Sequence, residues 1–179
     1  MAQAGYYDAV KIRFPLAYYD DLRRGAEQAD IDVNWALAIT RRESAFRNDA
    51  YSSAGARGLM QILPSTAKYL HKKSVSRLEL HNPSLNTRLG TAYLGDLKAR
   101  MNGNWVLATA SYNAGYYRVR DWLPDQPMPL DIWIELVPYH ETRDYLKAVL
   151  AYQQIYQLIN GGNENIFDAL VDMTISKQD

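Results

Sequence analysis

The chain has 179 residues, 47% of them hydrophobic, and its 20 Lys and Arg balance 20 Asp and Glu, so no net charge recruits nucleic acid or a membrane surface. With no cysteine it has no thiol nucleophile, no Cys-ligated zinc and no disulfide framework. No apolar run reaches transmembrane length, residues 1–20 lack a signal-peptide pattern, and the length fits one domain with a sizeable core.

In chain order, residues 1–17 read as an extended lead-in or linker ending at Phe14-Pro15-Leu16, because proline biases its predecessor away from helix. Residues 18 to about 29 are predicted helical, with Tyr18, Leu22 and Ala26 at spacings of four. Asp30 or Asp32 caps a second helix to about Phe46, whose stripe is Ala36, Ile39, Glu43 and Phe46, while Arg41 and Arg42 are expected to point elsewhere. Periodicity is lost over residues 48–63, where Ser52, Ser53, Gly55 and Gly58 give an irregular insertion with room for a short β-hairpin. Pro64 opens a helix to about Leu70. Asn82-Pro83 opens another, striped by Leu85, Leu89, Tyr93 and Leu97. Asn104 caps a helix to Asn113 that breaks at Gly115, and residues 116–123 add a further turn or two. Three prolines make residues 124–129 a loop, and residues 131–137 a short helix stopped by Pro138. The last long helix runs from about Glu141 to Asn160, before Gly161-Gly162, with Tyr145, Val149, Tyr152, Tyr156 and Ile159 inward. Residues 163–179 are a tail of unassigned role whose Ile166-Phe167 and Ala169-Leu170 either dock as a further turn or remain an exposed docking patch. The fold class is mainly α.

Glu43 is the residue to explain. Burying its charge costs several kcal/mol unless the carboxyl is paired or protonated. One reading is a structural ion pair with an arginine from another helix. The other is a general acid, its pKa lifted by desolvation from about 4.3 towards about 6, serving a poor leaving group such as a glycosidic oxygen. Ordinary glycosidases need two carboxylates roughly 5–10 Å apart. Asp49 in the polar loop and Glu141 at the start of the last helix are the candidates, with a solvated turn and a helix-end charge as their plainer roles. Gln61, between Met60 and Ile62, can bridge sugar hydroxyls or satisfy backbone, and Ser111-Tyr112-Asn113-Ala114-Gly115 ends a helix as many asparagines do. His71, His81 and His140 lack metal-ligand spacing, and no phosphate-cradling glycine loop or nucleophile elbow is present.

Four segments, Arg42-Glu43-Ser44-Ala45-Phe46, Gly58-Leu59-Met60-Gln61-Ile62, Ser111-Tyr112-Asn113-Ala114-Gly115 and Glu141-Thr142-Arg143-Asp144-Tyr145, together resemble the catalytic domain of the soluble lytic transglycosylases of bacterial cell walls. The lead-in around Phe14-Pro15-Leu16 resembles the junction to a helical superhelix in the largest members, as in an excised C-terminal domain. The resemblance implies a lysozyme-like fold over residues 18–162. It also implies cleavage, without net hydrolysis, of the β-1,4 bond between N-acetylmuramic acid and N-acetylglucosamine, leaving 1,6-anhydromuramic ends. Glu43 would be the sole catalytic residue, acid then base. Ser52, Met60, Gln61, Leu63, Tyr112, Asn113 and Glu141 would line or underlie the substrate cleft, with Tyr145 in support. Ser111 departs from an alanine common in the family, and Leu63 from a frequent methionine. Peptidoglycan strands are the implied partner and the periplasm the implied compartment, with no metal and no cofactor. A goose-type-lysozyme-like hydrolase using water, with Asp49 as helper, is the alternative, and a non-catalytic peptidoglycan-binding module a third.

Overall fold

A computed structural model describes residues 9–177. Residues 9–13, where description begins, are helical (α1), which corrects the extended lead-in expected there. The constraint from Pro15 reaches back only to Phe14, whose N–H still closes a helical bond to the Val10 carbonyl at 2.8 Å.

The succession is α2 (Tyr19–Gln28), α3 (Val33–Ser44), α4 (Pro64–His71), a 3₁₀ turn (Glu79–His81), α5 (Pro83–Arg100), α6 (Trp105–Ala114) and α7 (Tyr116–Asp121). Then come β1 (Met128–Pro129), α8 (Leu130–Leu136), α9 (His140–Ile159), α10 (Asp168–Val171) and β2 (Thr174–Ile175). Local chemistry sets the starts. The Asp32 carboxylate accepts the Asn34 and Trp35 N–H groups, Asn104 Oδ1 those of Val106 and Leu107, and Asn82 Oδ1 that of Leu85. Pro64 and Pro83 occupy first-turn positions whose missing N–H goes unnoticed.

α3 and α6 are buried on nearly every side, from Asn34 through Thr40 and from Val106 through Ser111. They are therefore central helices rather than surface ones. α3 packs on α9 and α2, and α6 on α5, α7 and α9. Between them the Trp35 indole N–H donates to Thr109 Oγ1 at 2.9 Å, satisfying the one polar atom of a buried ring. The inward residues expected on the last helix divide as the packing demands, with Tyr145, Val149 and Tyr156 buried and Tyr152 and Ile159 partly so.

The 48–63 insertion holds two isolated antiparallel bridges, Tyr51 with Arg57 and Arg57 with Ile62, in place of a regular hairpin. The regular strand pairing lies elsewhere: β1 runs antiparallel to β2, with Met128 opposite Ile175. This corrects the reading of residues 124–129 as loop throughout. Pro129 is tolerated because the ribbon has only two strands. Leu170 and Ile175 are buried against α8 and α9, so the described part of the tail completes a second core cluster.

Candidate active site

α3 ends abruptly one residue after Glu43. Ser44 is its last residue, and Ala45 and Phe46 both adopt left-handed backbone, with φ of 50° and 64°. Two successive non-glycine residues in that region store strain of about 1–2 kcal/mol each, held in place here by burial of the Phe46 ring against Tyr156. The sharp stop turns the chain into the insertion while leaving Glu43 on the last turn of a rigid, buried helix.

The insertion is bound back to that helix. Ser44 Oγ donates to the Leu59 carbonyl at 2.7 Å. Asn86, fully buried on α5, does most of the shaping: its Oδ1 accepts the Met60 N–H at 2.8 Å, and its Nδ2 donates to the Arg57 and Leu80 carbonyls at 2.9 and 2.7 Å. Gly58, at φ 76°, must be glycine, because a Cβ there would strike the Leu80 carbonyl and the Asn86 amide. Gln61 is held in left-handed backbone (φ 48°), and its Nε2 donates to the Gly58 and Ala50 carbonyls at 2.9 and 3.2 Å.

From the opposite side come α6 and α9. Tyr112 donates its hydroxyl to the Met60 carbonyl at 2.7 Å and packs on Tyr93, ring centroids 5.4 Å apart. Thr142 Oγ1 donates to Asn113 Oδ1 at 2.7 Å, and Asn113 Nδ2 reaches Glu141 Oε1 at 3.5 Å. One turn further along α9, the buried Tyr145 hydroxyl donates to Glu43 Oε1 at 2.5 Å. The Arg42 guanidinium lies over the Tyr145 ring at 5.5 Å, so Arg42 belongs to this cluster and does not point away as its position off the stripe implied.

Glu43 as a residue is half-buried, but its carboxyl is turned to this packed side. Desolvation dominates and lifts its pKa from 4.5 to about 7. The Tyr145 hydrogen bond and the Arg42 charge oppose that rise, and the Glu141 charge adds a little to it. Burial first, then proximity to Glu43, pushes Tyr112 and Tyr145 well above the usual phenol range, so both remain neutral hydrogen-bond donors. The structural-ion-pair reading of Glu43 finds no partner: among the described residues no arginine or lysine forms a salt bridge with it.

Beside the cluster runs a cleft of about 230 Å³ lined by Gln61, Leu63, Tyr112, Asn113 and Arg118 among others. Glu43 does not line it but lies close enough to Tyr112 in its wall for the two groups to interact electrostatically. Of the residues expected at a site, Gln61, Leu63, Tyr112 and Asn113 meet in this cleft, and Glu141 and Tyr145 stand behind it. Met60 is fully buried, so its side chain supports the floor. Ser52 does not line the cleft, and its Oγ accepts the Ala56 N–H at 3.1 Å within the loop. Asp49 is exposed and pairs with Arg47 at 3.4 Å. The sequence offers Tyr93 only as a stripe residue and Thr142 only as a member of the Glu141–Tyr145 segment, and it does not single out Asn86 or Arg118. The only available signal was a polar Asn86 one residue from a leucine stripe.

Residues 22–130 match the family described as Transglycosylase SLT domain, and residues 136–165 the Soluble lytic transglycosylase helical domain. The chain is 39% identical over 168 residues to a putative soluble lytic murein transglycosylase of Haemophilus influenzae, covering 90% of the chain and 28% of that protein. It is 38% identical over 170 residues to the soluble lytic murein transglycosylase of Escherichia coli K12, covering 91% of the chain and 26% of that protein. An inactive glutamate-to-glutamine mutant of the lytic transglycosylase Slt from Pseudomonas aeruginosa superposes with a TM-score of 0.84 at 44% identity, over 92% of this chain and 28% of that one. The 70-kDa soluble lytic transglycosylase in complex with bulgecin A superposes with a TM-score of 0.82 at 36% identity, over 90% and 27%. The mainly α, lysozyme-like fold is thus shared with these proteins, of whose length the chain spans little more than a quarter. By sequence and by fold, the chain belongs to the transglycosylase SLT domain family.

Proposed function

We propose that this chain cleaves the β-1,4 bond between N-acetylmuramic acid and N-acetylglucosamine in peptidoglycan without adding water, and that Glu43 alone carries the proton transfers. The observation that carries the reading is a carboxyl bonded by the Tyr145 hydroxyl whose pKa burial lifts to about 7, with no buried Asp or Glu beside it among the described residues. Near neutral pH such a group populates both protonation states, as an acid that must next serve as base requires. The Tyr145 hydroxyl occupies Oε1, leaving the other carboxyl oxygen to hold the transferable proton.

In the first half of the reaction Glu43 gives its proton to the glycosidic oxygen as the C1–O bond breaks, and N-acetylglucosamine leaves with its 4-hydroxyl restored. In the second half the muramyl C6 hydroxyl bonds to C1 and its proton passes to the Glu43 carboxylate. The enzyme regains its starting state and the product keeps a 1,6-anhydro ring. An intramolecular nucleophile has a high effective molarity, so no second carboxylate is needed to activate water. Exposed Asp49, tied to Arg47, fits that economy. The relative described as inactive once a glutamate is replaced by glutamine supports an indispensable glutamate in this fold. Gln61, Leu63, Tyr112, Asn113 and Glu141 orient the strand in this reading, Ser52 shapes the loop beside it through its bond to the Ala56 N–H, and residues 18–162 are the catalytic unit. The relatives named for murein support peptidoglycan as substrate, and with it the periplasm as compartment. No described helix is long and apolar enough to cross a membrane.

Digestion of peptidoglycan followed by mass spectrometry tests the proposal. The expected muropeptides are lighter by one water than lysozyme products, whereas reducing muramic ends alone would refute it.

A further inference from the structure

The cleft lining includes an arginine that none of the chemistry above uses. Arg118 lies on α7, just past the Gly115 break, and lines the same cavity as Gln61, Tyr112 and Asn113. Two neighbouring arginines have acidic partners: Arg120, also on α7, pairs with Asp121 at 3.5 Å, and Arg100, stacked on the α7 residue Tyr116, pairs with Asp96 at 3.7 Å. Arg118 has no acidic partner among the described residues, though it is far from loose. Its Nη1 donates to the Ala114 carbonyl at 2.9 Å, and its guanidinium lies 5.9 Å from the centroid of the Tyr139 ring. Tyr139 is itself braced edge-on by Trp122 at 5.0 Å. One edge of the guanidinium is thereby engaged, while Arg118 as a whole remains an exposed residue of the cleft lining.

A guanidinium held this way presents a planar fork whose geometry matches a carboxylate. Building on the proposed function, we infer that Arg118 is a substrate-specificity residue that binds a free carboxylate of the peptide carried by the glycan strand. The sugar backbone supplies hydroxyls and amides, which Gln61 and Asn113 suit. The peptide supplies the negative charge that those groups lack and that Arg118 lacks a partner for. The chain would then favour strands bearing peptides with ionised carboxylates over strands in which those carboxylates are masked.

The test is a binding cycle in the Glu43→Gln background, where turnover plays no part. Peptide-bearing glycan strands are compared with the same strands after carbodiimide and ammonia convert their carboxylates to amides. At low salt the untreated strands should bind about tenfold more tightly, the scale of one charge-assisted contact at an exposed site. Arg118→Gln should erase most of that ratio. Arg118→Lys, which keeps the charge and loses the fork, should restore only part of it. Equal weakening of both strands by Arg118→Gln would make Arg118 a structural strut for the Ala114 carbonyl and overturn the inference, as would amidation that leaves affinity unchanged. Failure of the parent reaction reads differently, because it appears in the wild-type chain as an absence of anhydromuramic products whatever the binding ratio.

Discussion

Replacing Glu43 with glutamine should make the fold more stable, by an amount that grows as pH rises from about 4.5 to about 7 and then levels off. Glutamine preserves volume and an oxygen to accept the Tyr145 hydrogen bond, but it has no proton to lose. In the unfolded chain the Glu43 carboxyl titrates near 4.5, and in the fold near 7. Between those values folding takes up a proton, so wild-type stability falls as pH rises and the full cost is carried once the folded carboxyl ionises. At about 1.4 kcal/mol per pH unit the interval is worth about 3 kcal/mol, or about 2 kcal/mol once screening of a half-buried side chain is allowed for. For a domain of this size that corresponds to roughly 4–12 °C in Tm. Urea unfolding of both proteins at pH 5 and pH 8, followed by tryptophan fluorescence, isolates the effect as a difference of differences, because other titrating groups cancel. Glu43→Gln should gain about 1.5–2.5 kcal/mol relative to wild type on going from pH 5 to pH 8, because a small part of the cost is already present at pH 5. An unchanged difference would mean that the carboxyl is not desolvated, and the argument for a protonated acid would fall with it.

Tyr145→Phe removes a hydrogen bond that favours the ionised carboxylate, so the alkaline limb of the kcat/KM profile should move to higher pH while kcat falls; an unmoved limb would contradict the assignment. Asn86→Leu leaves the Met60 N–H and the Arg57 and Leu80 carbonyls unpaired in a buried place, which should cost about 2–4 kcal/mol in denaturant unfolding and loosen the floor under Tyr112. A loss below about 0.5 kcal/mol would mean the insertion is held by other contacts. Asp49→Asn should leave turnover within about twofold of wild type, since its exposed pair with Arg47 contributes little. A loss of about a hundredfold or more would instead reinstate Asp49 as a second catalytic carboxylate.

What the sequence revealed were features whose causes are local. The caps at Asp32, Asn82 and Asn104, the first-turn prolines and the odd position of Glu43 on an apolar face all lie within one helical turn of the residues they act on. The ordered motifs then pointed to Tyr112, Asn113 and Tyr145, which composition alone would have left as core tyrosines and a helix-end asparagine. What stayed hidden depends on partners far along the chain. The pairing of Met128 with Ile175 has no signature, because strands of two residues show no alternation. Asn86 matters through a loop some 26 residues before it, and Arg42 joins the site only because α9 brings Tyr145 beneath it. The irregular insertion was recognised from its lost periodicity and its glycines, but its bonds to Asn86 and Ser44 were out of reach.

The most direct test of a single acid with an internal nucleophile is digestion of peptidoglycan in ¹⁸O-labelled water. Anhydromuramic products should carry no label, because no oxygen from solvent enters C1. Reducing muramic ends bearing ¹⁸O would show that water is the nucleophile and would contradict the internal-nucleophile mechanism.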